Sequence, residues 1–386
     1  MARREIIQPA REDFEELLAL LERAFGHGPG RFQRLLPSVY QCTDEHMRRH
    51  YAVRADGRLV AALGVQPMEW QVGDHVLHVA GIGGVGTDPA WRGKGLMSEL
   101  LEHTRARLRE QAYHLSWLGG RRQRYRHFGW EKAGCQLHFE LDATNLRHEP
   151  STHVLPRLEL CPLPDHDTAL ASMRQWHDAQ PIHCRRRWRG FERVLRDWHA
   201  QPCVARDEAG EPVGYLVLDK ESKHVVELVG RDETAERALV CAAVEHVEAA
   251  PVTILRSPLG DGLNHWLAEI AEHVRLHSMG NWQLFDWPAT LEALLALKAA
   301  SQPLPPGRVV LGLAEAARGL ELAVDGGGAR VAWTDRPPVL TLDGPALTRL
   351  LFGPTSPAQV TTLPAEAAAL EAWCPLPATL PYQDKV

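Results

Sequence analysis

Residues 87–101, TDPAWRGKGLMSELL, place two cations and two glycines in four positions, Arg92-Gly93-Lys94-Gly95, directly ahead of an amphipathic run. Glycine costs a helix about 1 kcal/mol relative to alanine, so glycine at a helix opening needs a reason. The first N–H groups of a helix lack intrahelical acceptors and stand at the positive end of its dipole. They are a ready seat for phosphate. Glycine lets backbone approach such an anion closely, and Arg92 and Lys94 add charge. A Walker loop needs G-x-x-x-x-G-K-[ST], which is absent here. Gly93-x-Gly95-x-x-Ser98 is a poor dinucleotide fingerprint, because hairpins precede it rather than a first parallel strand.

The elements around this stretch must position it. Phe14, Leu17, Leu18, Leu21 and Phe25 share one helical stripe. Two strands then turn at Asp56-Gly57, a strong hairpin signal, and a second hairpin turns at Gly73-Asp74. Its second arm runs into the glycine-rich loop. A helix follows from about Leu96 to Glu110 with Met97, Leu100, Leu101 and Leu108 on its buried face, then a short strand in HLSWLGG. The stretch NLRHEPSTHVLPRLELCPLPDHD, rich in Pro and His, reads as a linker.

After it the order partly recurs. CVARDEAGEPVGYLVLD reads as a hairpin, and VVELVGRDETAERALVCAAVEHVEAA as strand, turn and helix. This is a diverged internal duplication, with RDET where the first copy has RGKG. FDWPATLEALLALKAASQPLPPG is a helix ended by prolines, and a small α+β tail follows with a hairpin, a strand in PPVLTLD and a short helix in GPALTRLLFG.

The V-x-T-x-P-x-x-R-x-x-G pattern, with Arg92 and Gly95 in place, resembles the coenzyme A loop of the GCN5-related N-acetyltransferases (GNAT). Met97 departs from that family's usual small residue. The resemblance implies a fourth strand splayed from the fifth, with the donor thioester on the backbone of Val85, Gly86 and Thr87. It places the pyrophosphate on amides of Gly93, Lys94, Gly95, Leu96, Met97 and Ser98. The second informative stretch is GGRRQRYRHFGWEKAG at 119–134. By the same resemblance Gly120 and Arg121 belong to the cofactor site, and Tyr125 protonates the departing thiolate. Phenols titrate near 10, so that proton is present at neutral pH.

The degenerate second half, FDWPATLEALLAL and LTLDGPALTRLLFG together look like the enhanced intracellular survival (Eis) acetyltransferases. The implied fold is α/β (α+β). It comprises tandem GNAT units, each a mixed, mostly antiparallel splayed sheet with flanking helices, and a small sterol-carrier-like α+β domain. The expected ranges are 1–145, 146–284 and 285–386. The likeness implies that the tail, LPATLPYQDKV, returns to the site, where the Val386 carboxylate takes the amine proton. The expected reaction is direct acetyl transfer from acetyl-CoA to a primary amine of a small polyamine- or aminoglycoside-like substrate. The alternative is a non-catalytic protein on the same scaffold that senses coenzyme A or lipid. A homo-oligomer, dimer to hexamer, is implied; FGHGPGRFQRLLP and the other acceptor loops carry no legible specificity.

Composition narrows the partners. A net charge of −6 over 386 residues argues against a nucleic-acid binder, so the basic runs RRQRYR and HCRRRWRGFERVLRDWH read as phosphate-facing or solvated, and as a surface amphipathic helix or subunit contact. Length suggests two or three domains. The seven cysteines are scattered and never in C-x-x-C, which fits reduced thiols. His46 and His50 have helical i, i+4 spacing but no third ligand, so no metal is expected. MARREIIQPARED lacks an apolar leader core, and no apolar run reaches 18 residues, so a cytoplasmic protein without membrane contact is expected.

Overall fold

A computed structural model describes residues 4–187, 189–247 and 251–386. Among the described residues, three sheets carry the fold. The first contains β1 (Arg4–Ile7), β2 (His50–Ala55), β3 (Arg58–Val72), β4 (His75–Thr87), β5 (Leu115–Leu118) and β6 (Glu131–Lys132). Its order is β1-β2-β3-β4-β5-β15-β6, with β9 (Ile182–Arg185) paired to β3 and β15 spanning Asn281–Leu284. The second orders β14 (His273–His277), β7 (Gln136–Leu141), β13 (Val252–Arg256), β12 (His224–Gly230), β11 (Pro212–Leu218), β10 (Gln201–Arg206) and β8 (Glu159–Pro162). The third orders β18 (Gly328–Thr334), β17 (Gly319–Asp325), β16 (Gly307–Leu313) and β19 (Leu340–Leu342).

Local signals explain much of this. Asp56 and Gly57 take φ of 49° and 78°, the positive values that a two-residue hairpin turn demands, and β2 pairs β3 across them. The Phe14–Phe25 helix buries Phe14, Leu17, Leu18, Leu20 and Leu21. Gly26 then takes φ 69° as its C-terminal stop. The Leu96–Glu110 helix buries Leu96, Leu100, Leu101 and Leu108 against the first sheet.

The two halves exchange strands. β15, far along the chain, pairs with both β5 and β6 in the first sheet. β7, ahead of residue 145, lies between β13 and β14 in the second. The ranges 1–145, 146–284 and 285–386 therefore do not map one-to-one onto the sheets. Trp282 of β15 lies tilted against Trp70 of β3, ring centroids 5.6 Å apart, and meets Phe352 edge-on at 6.0 Å. One continuous core thus joins the first sheet to the Trp287–Ser301 and Gly344–Phe352 helices.

Three sequence expectations are corrected. The Pro-rich stretch after residue 144 is not merely a linker: β8 lies within it as an edge strand on β10, a place where proline is tolerated. HCRRRWRGFERVLRDWH is not an exposed amphipathic helix. It supplies most of β9 and a five-residue helix, Phe191–Leu195. Arg186 and Arg189 are 4% and 2% exposed, because buried carboxylates pair with them. Trp188, like residues 248–250 of the second strand–helix unit, lies outside the described residues. His46 and His50 do not share a helix either: the Asp44–Met47 helix stops first and His50 starts β2.

Candidate active site

β4 is irregular where the chemistry is expected. Its pairing with β3 skips from Gly64↔Gly83 to Ala62↔Gly86, one residue more on β4 than on β3. Such a bulge leaves backbone unpaired and bends the strand; Gly84, within it, has φ 58°. On its other edge β4 pairs with β5 in parallel only from Val79↔Leu115 to Ile82↔Leu118, yet β4 continues to Thr87. β5 itself ends at Leu118, so beyond Ile82 this edge of β4 has no β5 partner, and a gap opens beside the bulge.

The Leu96–Glu110 helix begins at the mouth of that gap. Gly93 and Gly95 take φ of 78° and 77°, and Gly95 caps the helix without a side-chain hydrogen bond. A Cβ on either would meet nothing within 4 Å, so the loop is uncrowded on that side. A cleft of about 460 Å³ lies along this helix end. Nine of the residues expected at the donor line it: Val85, Gly86, Thr87, Arg92, Gly93, Gly95, Leu96, Met97 and Ser98, joined by Ala24, Phe25, Trp91 and Arg124.

Other expected residues have different surroundings. Lys94 sets its ammonium 3.9 Å from the Trp91 ring centroid. Arg92, at the rim, donates to the Ala24 carbonyl at 2.8 Å, and so fixes the end of the Phe14–Phe25 helix. Gly86 is small for the same contact: a Cβ there would lie 3.0 Å from that of Ala24. Gly120 and Arg121 are not among the cleft's lining residues. Gly120, at φ 110°, covers Tyr125, whose Cε2 would be 3.0 Å from an added Cβ. Of RRQRYR, Arg122 and Arg126 pair with buried Glu131, while Arg124 reaches the cleft.

Tyr125 closes the Arg122–Tyr125 helix and is 7% exposed. Burial pushes its phenol above the ordinary value, which keeps the proton on at neutral pH. Its segment is held by residues that periodicity did not reveal. Asn281 donates to the carbonyls of Leu118 and Gly120 at 3.2 and 3.1 Å. Gln283 donates to that of Phe128 at 3.2 Å. Both sit on β15, so the second half of the chain braces the loop that carries Tyr125.

Val386 does come back to β4. A Cβ on Gly83 would fall 2.8 Å from its backbone carbon and 3.1 Å from its oxygen, and one on Gly81 would fall 2.8 Å from its Cγ2. Only glycine permits so close an approach. The Trp198 indole donates to the Lys385 carbonyl at 3.2 Å, and the buried Gln383 amide donates to the carbonyls of Val194 and Leu195 at 3.0 Å each.

The corresponding helix of the second half, Glu233–His246, has a side-chain cap. There Asp232 accepts from the Ala235 N–H at 2.8 Å, and the Glu233 carboxylate packs on Gly262. Asp232 thus takes an amide at the start of this helix, where RDET replaces RGKG.

A strand that outruns its neighbour and a helix opening without a side-chain cap thus meet in one cleft. Residues 5–133 match the family profile described as an acetyltransferase (GNAT) domain; the chain carries a GNAT acetyltransferase domain. No curated protein matches the sequence. Three solved structures are similar over the chain. A conserved protein from Enterococcus faecalis V583, described as a probable N-acyltransferase, has 17% identity and a TM-score of 0.72, covering 100% of both chains. A GCN5-related N-acetyltransferase from Kribbella flavida has 20% identity and a TM-score of 0.71, covering 100% of this chain and 99% of its own. Eis1 from Mycobacterium abscessus has 16% identity and a TM-score of 0.66, again with 100% coverage of both. At such identities the likeness is one of fold, and it spans the tandem arrangement as a whole.

Proposed function

We propose that the protein is an acetyl-CoA-dependent N-acetyltransferase acting on a primary amine of a small polyamine- or aminoglycoside-like substrate. The observation that carries this reading is the one cleft shared by the end of β4, which runs on past the end of β5 at Leu118, and the opening of the Leu96–Glu110 helix, which no side chain caps. The amides at that opening and Arg124 suit a diphosphate, and the bulged backbone of β4 suits a thioester carbonyl. The neutral amine attacks that carbonyl: the C–N bond forms, the C–S bond breaks, and free β4 amides take the developing oxyanion. Tyr125 gives its proton to the leaving thiolate. The Val386 carboxylate takes the proton lost by the amine, directly or through water. Holding both reactants in the gap supplies much of the rate, since effective molarities of oriented groups reach about 10⁵ M or more.

The third sheet and its two helices share the core of the first sheet, which supports a scaffolding role for that sterol-carrier-like unit. Edge strand β14 leaves Val274 and Leu276 exposed, which supports association of copies, because an open strand edge pairs readily. Among the described residues no helix is long and apolar enough to cross a membrane.

The test is thiol release from acetyl-CoA with polyamines, aminoglycosides and lysine peptides. Turnover with at least one amine class is expected. Saturable coenzyme A binding without turnover on any amine would favour a sensor instead.

A further inference from the structure

In the second half β12 and β13 part, pairing only at His224↔Thr253 and Val225↔Ile254. Part of what fills the opening is the tail: Glu227 and Leu255 line the remaining space of about 100 Å³ together with Thr379, Pro381 and Tyr382. Two buried arginines tie the tail down there. Arg186 donates to both oxygens of Glu227 at 2.9 and 2.5 Å and to Asp384 at 2.9 Å. Arg189 donates to the Asp384 carbonyl at 3.1 Å, to Asp197 at 2.5 Å and to the Ser38 hydroxyl at 2.8 Å. Ser38, from the first half, donates in turn to Asp197.

All five charged residues are nearly inaccessible; Asp384 is 1% exposed and Asp197 0%. Burial alone would discharge Arg186, but Asp384 and Glu227 outweigh it and hold the guanidinium well above its ordinary value. Burial likewise pushes Glu227 up, yet Arg186 brings it down to about 2. Arg186 and Glu227 are therefore a charged pair, while burial pushes Asp197 above the usual carboxylate range; a buried ion cluster is a poor source of net stability, because apolar residues of like volume often do as well or better. What it supplies is one geometry. The same turn carries Trp198 and His199 at φ 65° and 57°, rare for such residues and kept only where surroundings enforce them. Trp198 spends that conformation on the Lys385 carbonyl.

We propose that Arg186 and Arg189, carried by the degenerate half, are positioning residues: through Asp384 they seat Val386 on Gly81 and Gly83 of β4. The second acetyltransferase-like unit then serves catalysis as the holder of the tail rather than as a second donor site. This rests on the reading that the Val386 carboxylate accepts the amine proton.

The full-length chain is compared with a chain ending at Lys385, with Asp384→Ala, and with both changes together, measuring kcat, donor KM and thermal unfolding. A shift of about 1 Å at a reacting group costs roughly 100-fold. Asp384→Ala should therefore lower kcat about 100-fold with donor KM within about twofold, and should add nothing in the shortened chain, as for residues acting through one group. If Asp384→Ala does not fold, Trp198→Phe removes a single tail bond and should lower kcat about tenfold in the full chain only. Normal kcat in the chain ending at Lys385 would overturn the role of Val386 itself. If that chain is impaired while a folded Asp384→Ala protein turns over normally, or loses kcat equally in both backgrounds, the positioning role is overturned and the base stands. For a folded Trp198→Phe protein the same two outcomes overturn it.

Discussion

Gly83→Ala puts a methyl group where Val386 already lies: 2.8 Å from its backbone carbon, 3.1 Å from its oxygen and 3.5 Å from its Cβ. Carbon atoms rest about 3.5–4.0 Å apart, so Val386 must withdraw by roughly 0.7 Å or more. Gly83 is held from the other side by its pairing with Gly64 of β3, so the tail is the part that gives way. A displacement near 1 Å at a reacting group costs about 100-fold. The variant should show kcat lowered about 100-fold by thiol release, donor KM within about twofold, and nearly unchanged thermal unfolding, since the methyl meets only a terminal residue. Gly93→Ala is the contrasting case. Its methyl meets nothing within 4 Å, but φ is 78°, so it strains the loop by about 1 kcal/mol and should weaken donor binding rather than kcat. A folded Gly83→Ala enzyme with kcat within about threefold of the parent would refute the placement of Val386 in the reaction.

Other consequences are as direct. Tyr125→Phe should lower kcat by about 100-fold or more, the scale of a lost general acid, while coenzyme A affinity measured by calorimetry stays the same; unchanged kcat would remove Tyr125 from the mechanism. His50 is buried, and burial brings its imidazole down to about 4. The unfolded chain, titrating near 6.5, then binds the extra proton between those values. Stability should fall as pH drops from about 6.5 towards 4 by roughly 3 kcal/mol from this group; denaturant unfolding at pH 7 and pH 4.5 checks it, and a His50→Gln chain with the same pH slope would count against it. Asn281→Ala, by freeing the carbonyls of Leu118 and Gly120, should lower kcat about tenfold through Tyr125, and retention of full kcat would show that the loop does not need β15.

The elements around the cleft were legible because their signals are local. Glycine at a helix start, a turn at Asp56-Gly57 and the apolar face of residues 96–110 each report on a few neighbouring residues, and each element stands where its signal put it. The strand exchange was not legible. β15 is a buried four-residue strand, Asn281 to Leu284, too short to show a period, and nothing local says which sheet receives it. The same holds for Arg186, whose basic neighbours suggest a solvated surface; its carboxylate on Asp384 lies 198 residues away. Charge and the R-x-x-G pattern point Arg92 to a phosphate, and it does line the cleft; its bond to the Ala24 carbonyl was not legible, because it depends on how the first helix packs. Signals of composition and spacing identify a helix opening; they do not show which distant partner a cation already has.

Titration calorimetry of coenzyme A into the purified full-length chain tests the central claim most directly. The account predicts one saturable site per chain, weakened by salt and by Gly95→Ala, with no second site because Asp232 caps the corresponding helix. Folded protein that takes up no coenzyme A would contradict it.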